Sequence, residues 1–271
     1  MTRPTPADKL RLGGMALGNG LLVHGPTHWA AAVRDASGEV QVASGPKPDL
    51  AAGATERIPG LRGLTKLAEA MAVIPLVKRA LPAARLPMQD PRTLGAMVAA
   101  ALAGQAVRHG GAARRTLGRE ALVAGIGVLP ALLALRGGDL AAYHGVEHKA
   151  IAAYEEDDAQ AADAAKEHDR CGSNLVAPLV ASAVAGNVAV RRAGLRGPGA
   201  EGAVALGSVA FAIELFALAE RHPDTALARA VRRPGYELQR ALGTREPSEE
   251  QLEVGEAALA EILRVEGARA P

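Results

Sequence analysis

The chain has 271 residues, of which 49% are apolar, and a formal net charge of only +2, so it has enough hydrophobic content to fold by burial. The near-neutral charge argues against nucleic acid as a partner. A single cysteine, Cys171, excludes an internal disulfide and suggests a reducing compartment. The first residues lack the apolar core of a secretory signal, so export by that route is not expected.

Residues 1–60 are predicted to form a β-rich region. The stretch 10–45 is rich in glycine and in short runs of β-prone residues. Thr27–Arg34, the turn Asp35–Gly38 and the run Glu39–Ala43 together predict a β-hairpin. We therefore expect a small sheet ahead of the helices.

Residues 61–90 are predicted to form an amphipathic helix and a linker. Apolar side chains recur at helical spacing from Leu61 to Ile74. The pattern ends in a region broken by Pro82 and Pro87, since proline cannot continue a helix.

Residues 91–220 are predicted to contain four apolar helices, from segments that carry no charge or only Glu214: Thr93–Val107, Ala121–Leu135, Cys171–Val190 and Gly202–Ala219. The first two are short for a membrane span of about 20 residues, but arginines at their ends can reach the headgroups and extend them. Spanning is preferred, and a buried soluble bundle is the alternative. The fold class expected is mainly α with a small N-terminal β-sheet and a transmembrane four-helix apolar bundle.

Four crossings would place the N-terminal sheet, the connection 136–174 and the C-terminal region 221–271 on one side of the membrane. Only the basic loops 108–120 and 191–201 would lie on the other side. We expect a multi-pass membrane protein with membrane lipid as its partner, and the free Cys171 favours a cytoplasmic site. Charges near the spans do not orient the protein.

Two sequence signals lie near the end of these helices. Glu214 would be costly against lipid, so it either faces the bundle interior as a functional group or marks a soluble helix. The C-terminal region is expected to be helical, because Ser248 and Gln251 form a capping box ahead of an apolar run.

The connection 136–174 carries the strongest chemical signal. His144 and His148 stand one helical turn apart, and Glu147 lies on the same side. This H-x-x-E-H order inverts the zincin pattern, in which paired histidines bind zinc and the glutamate activates water. Two partly exposed histidines on a polar helix face are the alternative interpretation.

A second pair of donor residues follows 20 residues later. His168 and Cys171 have a spacing that lets both reach one ion from a turn. With His144 and His148 they would form a closed His₃Cys structural site, whereas three ligands would leave a position for water.

The other polar clusters are predicted to be surface features. The acidic run Glu155–Asp158 is expected to be a solvated loop rather than a second metal site. The remaining histidines are expected at the surface: His24, His28, His109 and His222.

The chain resembles the YqhQ-like family, domain of unknown function 1385, over most of its length. The resemblance rests on these motifs: Gly13-Gly14 through Gly20, Gly25–Ala30, Arg62-Gly63, Tyr143–Lys149, His168–Gly172, Pro234-Gly235, Gln239, Thr244–Pro247 and Leu252–Val254. It implies a multi-span membrane protein, described as a predicted metal-dependent enzyme, with its site at these His, Glu and Cys positions. Asp169 departs from the family's usual proline, and His24 from its frequent arginine.

Together these features predict a metal-dependent, membrane-associated hydrolase. A divalent metal, expected to be zinc, would be bound by His144, His148 and one or both of His168 and Cys171, with Glu147 as general base. Peptide, lipid and amide substrates are all compatible. The alternatives are a noncatalytic membrane protein with a structural metal site, and a soluble helical protein that binds a partner through its apolar surface.

Overall fold

The computed structural model describes residues 9–50, 55, 57–109, 117–136, 138–156, 161–195 and 197–267. Four strands form an antiparallel meander in chain order: β1 (Gly13–Leu17), β2 (Gly20–His24), β3 (His28–Arg34) and β4 (Val40–Pro46). The predicted hairpin is confirmed as β3 and β4, and two further strands precede it. The chain is mainly helical with this small N-terminal sheet, as expected.

The described helices run as follows: α1 (Leu61–Ala80), α2 (Pro91–His109), α3 (Leu117–Leu135), α4 (Asp139–Glu156), α5 (Val176–Arg192), α6 (Pro198–Arg221), α7 (Ala226–Leu238) and α8 (Glu249–Val265). A 3₁₀ turn at Gly172–Leu175 precedes α5, and a π-helical turn at Gln239–Gly243 extends α7. The predicted capping box of Ser248 and Gln251 is confirmed at the start of α8.

The sheet is buried on both faces because apolar residues occupy both sides of its central strands. Leu21 and Val23 face α4 and α8, in one core cluster. Leu22 and Val33 face the opposite way, in a second cluster with Val73 of α1. The sheet is therefore the middle layer between α1 and the pair α4 and α8.

Helix α4 is the most enclosed helix in the described part of the chain. Every residue from Gly145 to Tyr154 is buried, although Glu147, His148 and Lys149 are polar. Gly145 is required here, because a Cβ would lie 2.4 Å from the carbonyl oxygen of Arg245. Consecutive buried ionisable side chains cost free energy unless they are paired or used, which marks this segment for function.

The apolar helices pack as two hairpins, α2 with α3 and α5 with α6, joined by contacts between α3 and α5. Three segments are long and apolar enough to cross a membrane by length and composition: Leu117–Leu135, Gly172–Arg192 and Pro198–Arg221. The expectation of four such helices is thus met only in part. Helix α2 is diluted by Gly and Ala, by Gln105 and by arginines near both ends.

An ion-pair network joins the ends of all four hairpin helices. Glu120 of α3 is buried and forms an ion pair with Arg191 of α5 at 3.0 Å. Glu201 of α6 lies 3.5 Å from Arg191 and 3.4 Å from Arg108 of α2. Because one residue comes from each helix, these four helix ends lie at the same level.

Glu214 of α6 is paired with the start of α1. Its carboxylate accepts hydrogen bonds of 2.9 Å from the Arg62 side chain and 2.9 Å from the Gly60 backbone N–H. The contact fixes α1 against α6 and does not decide between the two interpretations of Glu214, which stay predictions.

Candidate metal centre

His144 is held in one orientation by the π-helical turn after α7. Its Nδ1 lies 2.8 Å from the carbonyl oxygen of Gly243, so Nδ1 carries the proton and donates it there. Its Nε2 is left facing the Cys171 sulfur at 3.3 Å. Histidine ligands of metals usually have this arrangement, with one nitrogen donating to a carbonyl and the other directed at the ion.

His148 is oriented in the same way from the other side of the site. Its Nδ1 lies 2.6 Å from the carbonyl oxygen of Lys166 and donates to it. The side chain is 1% exposed, and its Nε2 is buried without a hydrogen-bond partner in the described part of the chain. A metal ion at this position would satisfy the buried Nε2 lone pair, which has no hydrogen-bond donor.

The structure brings His144, His148 and Cys171 together. One ligand atom of each lies within 4.8 Å of the others. Zinc holds tetrahedral ligands at about 2.0–2.3 Å, which places neighbouring ligand atoms about 3.5 Å apart. Two imidazole nitrogens and one thiolate are ligands that zinc prefers, so this donor set fits zinc after small side-chain rotations.

His168 lies beside this cluster and not in it. Its ring centre is 5.8 Å from that of His148, its Nε2 lies 3.3 Å from Glu155, and its Nδ1 accepts from the Arg170 backbone at 3.3 Å. Its place as a ligand therefore stays a prediction. Glu155 ends α4 as a partner of His168 and Arg170 instead of lying in a solvated loop, and Asp157 and Asp158 lie outside the described residues.

Glu147 lines the same cavity as His144 and Cys171, and β1 shields it. It is 8% exposed, and a Cβ on Gly14 would lie 2.5 Å from its Cγ, so only glycine fits there. Burial raises the pKa of the Glu147 carboxyl, which nearby His144 and His168 oppose. A carboxylate with a raised pKa is a stronger base, as a group that takes a proton from water must be.

In the absence of metal, the pKa values of His144 and His148 are shifted in opposite directions. Burial and the charge of His144 lower the pKa of His148 to about 3, so His148 is neutral and ready to bind a metal. Burial also acts to lower the pKa of His144, but the Cys171 sulfur and the Glu147 carboxylate outweigh it and raise that pKa to about 9.

Residues 139–265 match the family described as protein of unknown function DUF1385. This segment, called the DUF1385 segment below, is similar to that family. The resemblance seen in the sequence is thereby confirmed for the family, whose description assigns no activity. No curated protein and no solved structure matches the chain.

The DUF1385 segment also contains supporting residues that the site prediction omitted. Gln239 is fully buried and makes two hydrogen bonds with the backbone of His168. Its Oε1 accepts from the His168 N–H at 2.8 Å, and its Nε2 donates to the His168 carbonyl at 3.2 Å. Lys149 donates to the carbonyls of Ala162 and Ala164 and so holds the loop that presents the Lys166 carbonyl to His148. Gln239 and Lys149 were both part of the family motifs, but their spacing gave no sign of these roles.

A cavity of about 850 Å³ opens onto the site. His144, Glu147 and Cys171 line one end of it. From there its wall follows α2 and α3, outside the DUF1385 segment, and Gly14 of β1 borders it. The site is therefore accessible to a ligand that is much larger than water.

Proposed function

We propose that this protein is a zinc-dependent hydrolase of the membrane. The observation that carries the proposal is the buried and unpartnered Nε2 of His148, which lies with His144 and Cys171 in one donor set. Glu147 borders the same cavity. Three protein ligands with a carboxylate beside them match the pattern of catalytic zinc sites, which keep one position open.

The chain's own residues have distinct roles in this proposal. His144 and His148 offer Nε2 because their Nδ1 protons are held by the carbonyls of Gly243 and Lys166. Zinc supplies Lewis acidity, which polarises a carbonyl and makes water more acidic. Glu147 accepts the proton of the attacking water and later returns it to the leaving group.

The packing of the sheet supports a membrane protein with four crossings. The sheet packs on both α4 and α8. Two candidate spans separate α4 from α8, which allows them to share one side. Of the three candidate spans, only α3 lies between the sheet and α4 in the sequence, and a single span would place them on opposite sides of the membrane. One further crossing is therefore needed between them. We assign it to α2, which pairs with α3 and reaches the same ion-pair network.

The site would then lie on the side that carries the sheet, α4 and α8. The free thiol of Cys171 favours the reducing cytoplasmic side. Membrane lipid is the neighbour that this placement supports.

Replacing Glu147 tests the catalytic proposal. The Glu147→Gln variant removes the base but keeps the shape, so hydrolysis of p-nitrophenyl esters should fall by about 10²–10⁴. Metal content and thermal stability should stay at wild-type values. The matched control is Glu156→Gln, at the exposed end of the same helix. Equal rates for Glu147→Gln and the control would contradict a catalytic role.

A structural zinc site is the competing proposal. It is favoured by His168, whose ring centre lies only 5.8 Å from that of His148 and which would close a His₃Cys set after a rotation. In that case the zinc would bind His168 as well, and wild-type protein would hydrolyse no ester. Loss of zinc in a His168→Ala variant would favour this alternative.

A further inference from the structure

The cavity beside the site is an apolar groove along the hairpin of α2 and α3. On α2 its lining residues recur at helical spacing and include Met97, Ala101 and Gly104. On α3 they include Gly127 and Ala131. Small residues on both helices leave the space open, and several of them are exposed to it.

The groove has the length of a lipid chain. Its lining on α2 runs from Thr93 to Arg108, and the fifteen helical rises between these two residues correspond to about 22 Å at 1.5 Å per residue. One leaflet of a bilayer has a hydrocarbon layer of about 15 Å, half of the usual core thickness. An acyl chain therefore fits along the groove from the site towards the middle of the hairpin.

The surroundings of the groove indicate that its occupant comes from an apolar phase. Leu94, Val98 and Leu102 of α2 are exposed large apolar residues, and so are Leu129 and Leu133 of α3. They turn the outside of the hairpin into an apolar surface, which is costly in water and stable in lipid.

The end of the groove at the site distinguishes an acyl group from a phosphate. Leu140, one helical turn before His144, lines the groove there together with Val176 and Leu238. Among the described lining residues the only lysine or arginine is Arg108, and it lies at the opposite end. The apolar wall thus reaches the donor residues directly, without a lysine or arginine to pair with a phosphodiester.

We propose that the groove holds the acyl chain of a membrane lipid, with its acyl carbonyl at His144, Glu147 and Cys171. This inference rests on the proposed hydrolase and names its substrate class, a long-chain acyl ester. The oxygen of water bonds to the acyl carbon, and the bond from that carbon to the alcohol oxygen breaks. Glu147 transfers the proton it took from water to the alcohol, and a fatty acid and an alcohol result.

A matched pair of glycines in α3 tests the inference. Gly127 lines the groove and Gly125 does not, and a Cβ on either meets no atom within 4 Å in the described residues. Both Gly127→Phe and Gly125→Phe should therefore fold, but only the first fills the groove. The full-length, zinc-loaded protein in lipid nanodiscs is irradiated with a diazirine analogue of palmitic acid, and crosslinked peptides are mapped by mass spectrometry.

The expected result is crosslinking to α2 and α3 in wild type and Gly125→Phe, with at least about a tenfold loss in Gly127→Phe. Hydrolysis of p-nitrophenyl palmitate should fall in Gly127→Phe by at least about tenfold more than hydrolysis of p-nitrophenyl acetate. Equal crosslinking and equal palmitate hydrolysis in all three proteins would overturn the acyl-chain inference and leave the hydrolase intact. Crosslinking that Gly127→Phe blocks, with no ester hydrolysed by wild type, would reject the hydrolase and retain the acyl chain as occupant.

Discussion

At His148 one ring nitrogen is hydrogen-bonded and the other is buried without a partner in the described residues. An unsatisfied buried acceptor costs about 1–3 kcal/mol, so a chain keeps one only where something offsets the cost. The neighbouring His144 and Cys171 favour a metal ion as the group that offsets this cost, because both offer metal ligand atoms to the same space.

His24, at the end of β2, should make stability depend on pH. Burial and the charge of Lys47 lower its pKa from 6.5 to about 4 in the folded protein. As pH falls below 6.5 the unfolded chain takes up the proton first, so stability falls between pH 6.5 and 4. Above that window this group has no effect on stability, and below it the loss stays constant. The loss approaches about 3 kcal/mol in total, at about 1.4 kcal/mol per pH unit.

Thermal unfolding in detergent at pH 7.5 and pH 5 measures this effect. A His24→Met variant should lose less in its unfolding temperature than wild type on acidification. His222→Met, at an exposed position, should behave as wild type does. An identical shift in all three proteins would show that His24 does not titrate in this way.

The helical period predicted the close approach of His144, Glu147 and His148, since residues three and four apart share one face. Their carbonyl partners were not predictable, because every residue carries a carbonyl and only the tertiary fold selects Lys166 and Gly243. The sequence likewise gave no reason to separate His168 from Cys171, which depends on the shape of the turn between them.

At the scale of elements, the sequence and the packing differ on whether α2 crosses the membrane. Its hydropathy is too low for it to count among the candidate spans. Its partners nevertheless require a position beside α3, with Arg108 at the level of Glu201. Packing against other helices allows a less apolar helix to cross a membrane, which a window of sequence does not register.

Impermeant maleimide labelling of single cysteines tests the crossing of α2. Ser37→Cys reports on the sheet, Arg136→Cys on the end of α3, and Leu195→Cys on the turn between α5 and α6, and all three positions are exposed. If α2 crosses, Ser37→Cys and Arg136→Cys should react from one side of sealed vesicles and Leu195→Cys from the other. The native Cys171 is counted separately by peptide mass spectrometry.

A different pattern would refute the assignment of α2. If Ser37→Cys reacts from the same side as Leu195→Cys, and Arg136→Cys from the opposite side, α2 does not cross. The contact between the sheet and α4 would then be impossible in the membrane.

At the scale of the whole molecule, the site forms where three separate parts of the chain meet. Helix α4 supplies the histidines and Glu147, Cys171 caps the start of the 3₁₀ turn before α5, and β1 supplies the glycine that leaves room for Glu147. The N-terminal sheet was predicted as a separate region. The position of the sheet over Glu147 was not predicted, because Gly14 stands more than 100 residues from Glu147 in the sequence.

Metal content is the most direct test of this account. Full-length protein purified in detergent without chelators should contain about one zinc per chain by plasma mass spectrometry. A His144→Ala/His148→Ala variant should contain none while retaining its helical circular dichroism, and His168→Ala should keep its metal because His168 lies outside the donor set. A wild-type protein without metal, or a double variant with as much zinc as wild type, would contradict the metal centre.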